Sequence, residues 1–285
     1  MCAVNATHST QVNNVLLIPV VVLNALTAVS KFQERSNLNL NPRNCGGYFY
    51  VVQGDMFMSN AYNLPPIFVI SLKNSSRREF IAKRLRGLGL QFEFFDAVYG
   101  KELSEEELSK VDYHFYKAYN PLPLTLGEIG CATSHINIYE HMVENNIPSA
   151  IILEDDAIIS QFFKEIIEDM LGKIHHSYEL IFLDHGKVKS YPFKKKLIEG
   201  YRLAHYRSPS KNSKRCIIYA TAYLITLSGA QKLLKYAYPI RMPADYLTGL
   251  IQKTKVNAYG VEPPCVFRGL DTDSEIDQIE DRHNK

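Results

Sequence analysis

Strand and helix signals alternate from Ile67 to Tyr236 and predict an α/β protein, a mostly parallel sheet flanked by helices. Two observations carry that prediction. Short apolar runs of strand length recur at 67–72, 150–153 and 178–183, and segments of helical period with N-cap chemistry lie between them. In such a sheet, ligands are expected where strands end.

Taken in order, Ile67 to Leu72 is a short apolar strand. Asn74 or Ser75 can cap a helix that runs to about Leu88, where Gly89 stops it. Gln91 to Val98 is a second strand. Thr125-Leu126-Gly127-Glu128 has capping-box spacing and opens a helix in which Ile129, Ala132, Ile136, Tyr139 and Val143 recur at helical intervals. Ala150 to Leu153 is a strand, Phe162 to Leu171 a helix, and Tyr178 to Leu183 a strand that ends on Asp184. Ile217 to Leu227 is β-rich, and Ser228 caps a helix through Tyr236. Pro65-Pro66 marks a boundary. Residues 1–64, with turn signals at Asn41-Pro42 and Cys45-Gly46-Gly47, read as an extension, 65–267 as the α/β domain, and 268–285 as an acidic tail.

A length of 285 residues supports one large α/β domain or two small ones, and a net charge of +2 excludes little. The charge is unevenly placed. Ten Lys or Arg lie between Lys187 and Arg215 against the single acid Glu199, and six acids lie between Asp271 and Asp281. The basic stretch reads as a solvated face or loop; its alternative is attraction to an anionic acceptor or membrane. No recognition helix or RNA-binding signature accompanies it, so no nucleic-acid partner is expected. Five widely spaced cysteines without a CxxC pair argue against a disulfide framework and for a reducing, cytoplasmic setting. The longest apolar stretch, Val15 to Val29, is interrupted by Pro19 and Asn24 and is too short to span a bilayer. A peripheral contact at the inner membrane face stays open.

The most informative stretch is Leu153-Glu154-Asp155-Asp156. An apolar strand that stops on three consecutive acids can hold a hard divalent cation at a sheet edge, because the acids repel one another unless a cation, base or solvent relieves them. The plainer reading is a strand emerging into water. After the first strand, Arg77 and Arg78 occupy the first turn of a helix, where acids are normally preferred; an anion at that terminus would reverse the penalty. No G-x-G-x-x-G or Walker-type motif accompanies them. Gly130 costs about 1 kcal/mol against Ala in a helix, which implies close approach of another backbone or a ligand. Glu128 has a sufficient job as capping-box partner, and His135 is most simply a satisfied structural histidine.

Ile67-Phe68-Val69-Ile70-Ser71-Leu72 with Arg77-Arg78, Phe95-Asp96-Ala97-Val98-Tyr99-Gly100, Gly127-Glu128-Ile129-Gly130-Cys131 with Ser134-His135, Ile152-Leu153-Glu154-Asp155-Asp156, Ala222-Tyr223-Leu224-Ile225 and Pro243-Ala244-Asp245 together resemble glycosyltransferase family 25 over about residues 66–250. The resemblance implies a Rossmann-like sheet of GT-A type and inverting transfer of a hexose, often galactose, from a UDP-sugar to a lipooligosaccharide, a lipid-linked acceptor. It implies Mn²⁺ or Mg²⁺ at Asp156 with Glu154. Glu154 and Asp155 would orient ribose, base or metal-bound water, Arg77 and Arg78 would face the nucleotide, and Glu128, Ser134, His135 and Tyr223 would lie on the substrate side. Inversion needs a base. Asp245 is the first candidate, Asp184 the second and His185 the third, although Asp245 could equally be the N-cap of a helix over 246–251. A metal-dependent nucleotidyltransferase and a non-catalytic glycan- or cation-binding module stay open.

Overall fold

The computed structural model describes residues 64–120, 122–174 and 177–269, together with four short strands before them. These four, β1 (Gln11–Val12), β2 (Val15–Leu16), β3 (Tyr48–Val52) and β4 (Asp55–Ser59), pair antiparallel in sequence order. They belong to a separate unit that ends at Asn63. Most of the apolar stretch after Leu16, and the acidic run after Asp271, lie outside the described residues. Among the described residues, no helix is long and apolar enough to cross a membrane.

The second unit begins at Leu64. Its strands are β5 (Ile67–Ser71), β6 (Glu93–Asp96), β7 (Ser149–Glu154), β8 (Ala157–Ile159), β9 (Leu180–Phe182), β10 (Ser190–Lys196), β11 (Arg202–Tyr206), β12 (Ala222–Thr226), β13 (Ala258–Glu262) and β14 (Val266–Arg268). The main helices are α1 (Arg77–Gly87), α2 (Glu105–Ser109), α3 (Tyr113–Tyr116), α4 (Leu126–Glu144), α5 (Phe163–Lys173), α6 (Leu227–Ala237), α7 (Ala244–Gly249) and α8 (Ile251–Thr254). Eight strands form one sheet in the order β10-β11-β13-β9-β12-β7-β5-β6, and β14 pairs with β8 beside it. Only β12 and β11 run against the other six, so the sheet is mostly parallel, as expected.

The apolar run of β7 is continuous because both of its faces are covered. Ala150 and Ile152 pack into one core with Ile136, Tyr139 and Met142 of α4 and Leu233 of α6. Ile151 and Leu153 pack into the other with Ile81 and Leu85 of α1 and Phe163, Ile166 and Met170 of α5. A strand read by helices on both sides cannot alternate polar and apolar residues.

Local capping explains where helices start. Thr125 and Glu128 form the expected capping box at α4. Two caps differ from expectation. Helix α1 begins at Arg77 after an uncapped Ser76, while Ser75 Oγ accepts from the Arg77 N–H. Thr226, not Ser228, caps α6, its side chain accepting from Gly229 N–H; Ser228 lies inside the first turn. The basic stretch is not simply loop. Half of it is the edge pair β10–β11, which the low apolar content concealed.

Gly130 meets backbone, not ligand. A Cβ there would lie 2.6 Å from Val98 O and 2.8 Å from Gly100 N, so the 98–100 segment crosses α4 directly over this residue. Gly130→Ala pits about 1 kcal/mol of helix propensity against a backbone clash of the kind that costs about 1–3 kcal/mol. The clash should win, lowering the urea midpoint. Gly87→Ala, with nothing within 4 Å, should raise it slightly. A neutral or stabilised Gly130→Ala would contradict this crossing.

Candidate active site

Strands β5, β7 and β9 run the same way and end at one edge of the sheet, with the start of the opposed β12 between β7 and β9. That register brings Ser71, Glu154 and Asp184 together. Glu154 N–H donates to Thr221 O at 2.8 Å and Asp184 N–H to Ala222 O at 3.1 Å. Asp155 and Asp156 occupy the turn between β7 and β8.

The three consecutive acids meet three different environments. Asp155 is neutralised: Ser71 Oγ donates to its Oδ2 at 2.6 Å, and Arg77 Nη1 lies 3.5 Å from Oδ1. Glu154 is positioned from behind. His135 Nε2 is 3.3 Å from its Oε1, His135 Nδ1 is 2.7 Å from Tyr223 Oη, and Tyr223 Oη is 2.7 Å from Tyr139 Oη. A carboxylate only accepts, so Nε2–H donates to Glu154 and Nδ1 accepts from Tyr223, whose oxygen can then accept from Tyr139. Burial pushes both tyrosine hydroxyls well above their ordinary range, which keeps them protonated as donors. Asp156 is left crowded. Its Oδ1 is buried without a hydrogen-bond partner, and burial together with Glu154 and Asp155 raises its carboxyl to about 7, against the pull of Arg77 and Arg268.

Asp184 repeats the pattern. One oxygen takes Thr221, the buried Oδ2 has no partner, and burial raises its carboxyl. Buried carboxylate lone pairs without donors suit an all-oxygen cation such as Mn²⁺ or Mg²⁺. Asp245, in the first turn of α7, completes the acidic group. Burial first, then Glu154 and Glu128, raise it to about 6, although the N–H groups of Tyr219 and Tyr246 oppose this. Tyr219 reaches Asp245 from a left-handed φ of 80°, a strained conformation for a bulky residue. Pro243 is the N-cap of α7, so the capping role considered for Asp245 does not apply.

Packing shows where the residues expected on the substrate side lie. Ser134 is fully buried, accepting from Val98 N–H and donating to Gly130 O, and His135 and Tyr223 are fully buried in the layer behind Glu154. Arg78 stacks on Phe94 and donates to Ser71 O, Leu72 O and Asp96. It therefore ties the ends of β5 and β6 together. Glu128 is held by its capping box, and His185 Nε2 by Val261 O at 2.9 Å. Conversely, Arg268 enters the site unannounced, because β14 pairs Arg268 with Ala157, next to Asp156. Only a pairing across more than a hundred residues places it there, and no local motif signals it.

Residues 64–248 match the family described as Glycosyltransferase family 25 (LPS biosynthesis protein). The chain belongs to glycosyltransferase family 25. Family relatives include a procollagen galactosyltransferase 1-B of Xenopus laevis, 31% identical over 68% of this chain and 32% of that protein. A glycosyltransferase 25 family member of Anopheles gambiae is 33% identical over 61% of this chain and 29% of its own length. A probable inactive glycosyltransferase 25 family member 3 of Bos taurus is 28% identical over 63% and 30%. The chain thus spans about a third of the length of the curated relatives it matches.

The raised Asp156 carboxyl makes a thermodynamic prediction for metal-free protein. Between about pH 4 and 7 the folded state keeps a proton that the unfolded chain has lost, so stability falls as pH rises through that window. Asp156→Asn should flatten, but not abolish, this slope in urea unfolding, because Asp184 and Asp245 are shifted the same way. An unchanged slope would place Asp156 in a far less crowded setting.

Proposed function

We propose that this chain is a metal-dependent, inverting glycosyltransferase that moves a hexose, galactose foremost, from a UDP-sugar to a hydroxyl of a glycan acceptor, with a lipooligosaccharide core as the acceptor class. A relative described as probable inactive means that family membership does not decide activity. One observation carries the reading: Asp156 Oδ1 and Asp184 Oδ2 are buried carboxylate oxygens without partners, and the charge of Glu154 raises both acids together with Asp245, whose carboxyl sits at about 6.

Asp156 and Asp184 would hold the cation through those oxygens. When bound, Mn²⁺ or Mg²⁺ would neutralise the diphosphate as the sugar leaves. Arg77, already beside Asp155, adds fixed positive charge on the same side. Asp245 is the base: a carboxylate poised at about 6 is largely ionised at neutral pH, yet basic enough to take the acceptor hydroxyl proton. A hollow of about 470 Å³ lies beside it, lined by Tyr246 and Cys216 and by Lys187, Lys189, Lys214 and Arg215. This supports an acceptor carrying negative charge. The free thiols Cys131, Cys216 and Cys265 support a reducing, cytoplasmic setting.

Incubation with a panel of UDP-sugars and Mn²⁺ should release UDP, fastest from UDP-galactose; release of pyrophosphate instead would favour a nucleotidyltransferase. Asp245→Asn should lower kcat by about 10²–10⁴-fold while calorimetry shows unchanged UDP–Mn²⁺ binding. Wild-type kcat should rise with pH and level off above about 6, the Asp245 value. Near-normal turnover in Asp245→Asn would remove it as the base.

A further inference from the structure

We propose that Cys131, His135 and Glu154 form a second cation site, for a soft divalent ion of the zinc class, separate from the hard-cation position at Asp156 and Asp184. Cys131 and His135 stand four residues apart on α4, so the helix presents thiol and imidazole from one face. The register of β7 delivers Glu154 opposite them.

The spacing is close to that of a coordination tetrahedron. Bond lengths of about 2.3 Å for zinc–sulfur and about 2.0–2.1 Å for zinc–nitrogen and zinc–oxygen give tetrahedral edges of about 3.3 Å between N and O and about 3.5 Å between S and O. Here His135 Nε2 lies 3.3 Å from Glu154 Oε1, Cys131 Sγ lies 3.8 Å from the same oxygen, and all three ligand atoms fall within 4.8 Å of one another. The two edges to Glu154 Oε1 are thus within a few tenths of an ångström of those values. The thiol gives up its proton to solvent on binding; the imidazole changes tautomer, its proton passing from Nε2 to Nδ1, and Tyr223 Oη at 2.7 Å turns from donor to acceptor. Such a partner behind the metal-bound ring is what orients histidine ligands.

Ligand softness separates the two sites. The thiolate and imidazole select zinc, cobalt or cadmium over Mg²⁺, whereas the Asp156 and Asp184 oxygens suit Mg²⁺ or Mn²⁺. Three protein ligands leave a fourth position for water. Occupancy would lock Glu154 and place two positive charges beside Asp245, so a zinc-class ion would act as a brake. That consequence rests on the transferase reading; the binding does not.

Cobalt titration of the full-length, metal-free protein tests the site directly. One equivalent should produce a thiolate-to-cobalt charge-transfer band with the intense visible bands of a tetrahedral ion, and Zn²⁺ should abolish both. Cys131→Ser and Cys131→Ala should lose the band and bind cobalt about tenfold or more weakly, with Mn²⁺ binding retained. Zinc-edge absorption on wild-type protein reads the ligand set without a substitution, and one sulfur with nitrogen and oxygen neighbours is expected. A sulfur-free shell, or a band that survives in both variants, overturns the proposal. Loss of Mn²⁺ and UDP binding by wild-type protein, with the cobalt band intact, would instead overturn the transferase reading alone.

Discussion

The structure turns on how one sheet edge tolerates five neighbouring carboxylates. Glu154, Asp155, Asp156, Asp184 and Asp245 come from two co-directional strand ends, those of β7 and β9, and from the first turn of α7, in surroundings that solvent only partly reaches. Like charges this close cannot all ionise cheaply, and each is treated differently. Asp155 is compensated by Arg77, Glu154 accepts from His135, and Asp156, Asp184 and Asp245 hold their protons to higher pH. Buried carboxylates are costly unless something balances them, and such imbalance concentrates at functional sites.

The remainder of the fold serves that edge. The row Tyr139–Tyr223–His135 crosses from α4 to β12 and back, and it aims Glu154 without spending a charge. The Gly130–Gly100 crossing brings the 98–100 segment onto α4, where Ser134 pins it through Val98 N–H. Arg78 plays the same part at β5, gathering two carbonyls and Asp96 so that Ser71 stays in place to donate to Asp155. None of these residues lines the hollow beside Asp245, yet His135 touches Glu154 directly, and Tyr223 and Arg78 reach the acids through His135 and Ser71.

Much of this was legible in the sequence because it is local. The strand of β7 stopping on acids, the capping box of α4 and a glycine demanding close approach each follow from a few contiguous residues. What was hidden depends on partners far along the chain. The family resemblance puts Ser134, His135 and Tyr223 on the substrate side, but their buried hydrogen bonds to Val98, Glu154 and Tyr139 come from far along the chain. Arg268 could not be placed at all, since only the β8–β14 pairing brings it beside Asp156. The edge strand β10 escaped for a different reason: exposed and lysine-rich, it lacks the apolar content by which strands are recognised.

Placing the ionisable groups in two layers explains why a single helix can serve both. The front layer, Asp156, Asp184 and Asp245, has oxygens that burial leaves short of donors. The rear layer, Cys131, His135 and the tyrosines, is soft, neutral and packed. Glu154 lies between them, its Oε1 turned to the rear layer while its charge raises all three front acids. Whatever draws Glu154 rearward therefore changes the charge that Asp245 feels. The basicity of the proposed acceptor base is thus set from behind the site, by residues that no substrate need touch.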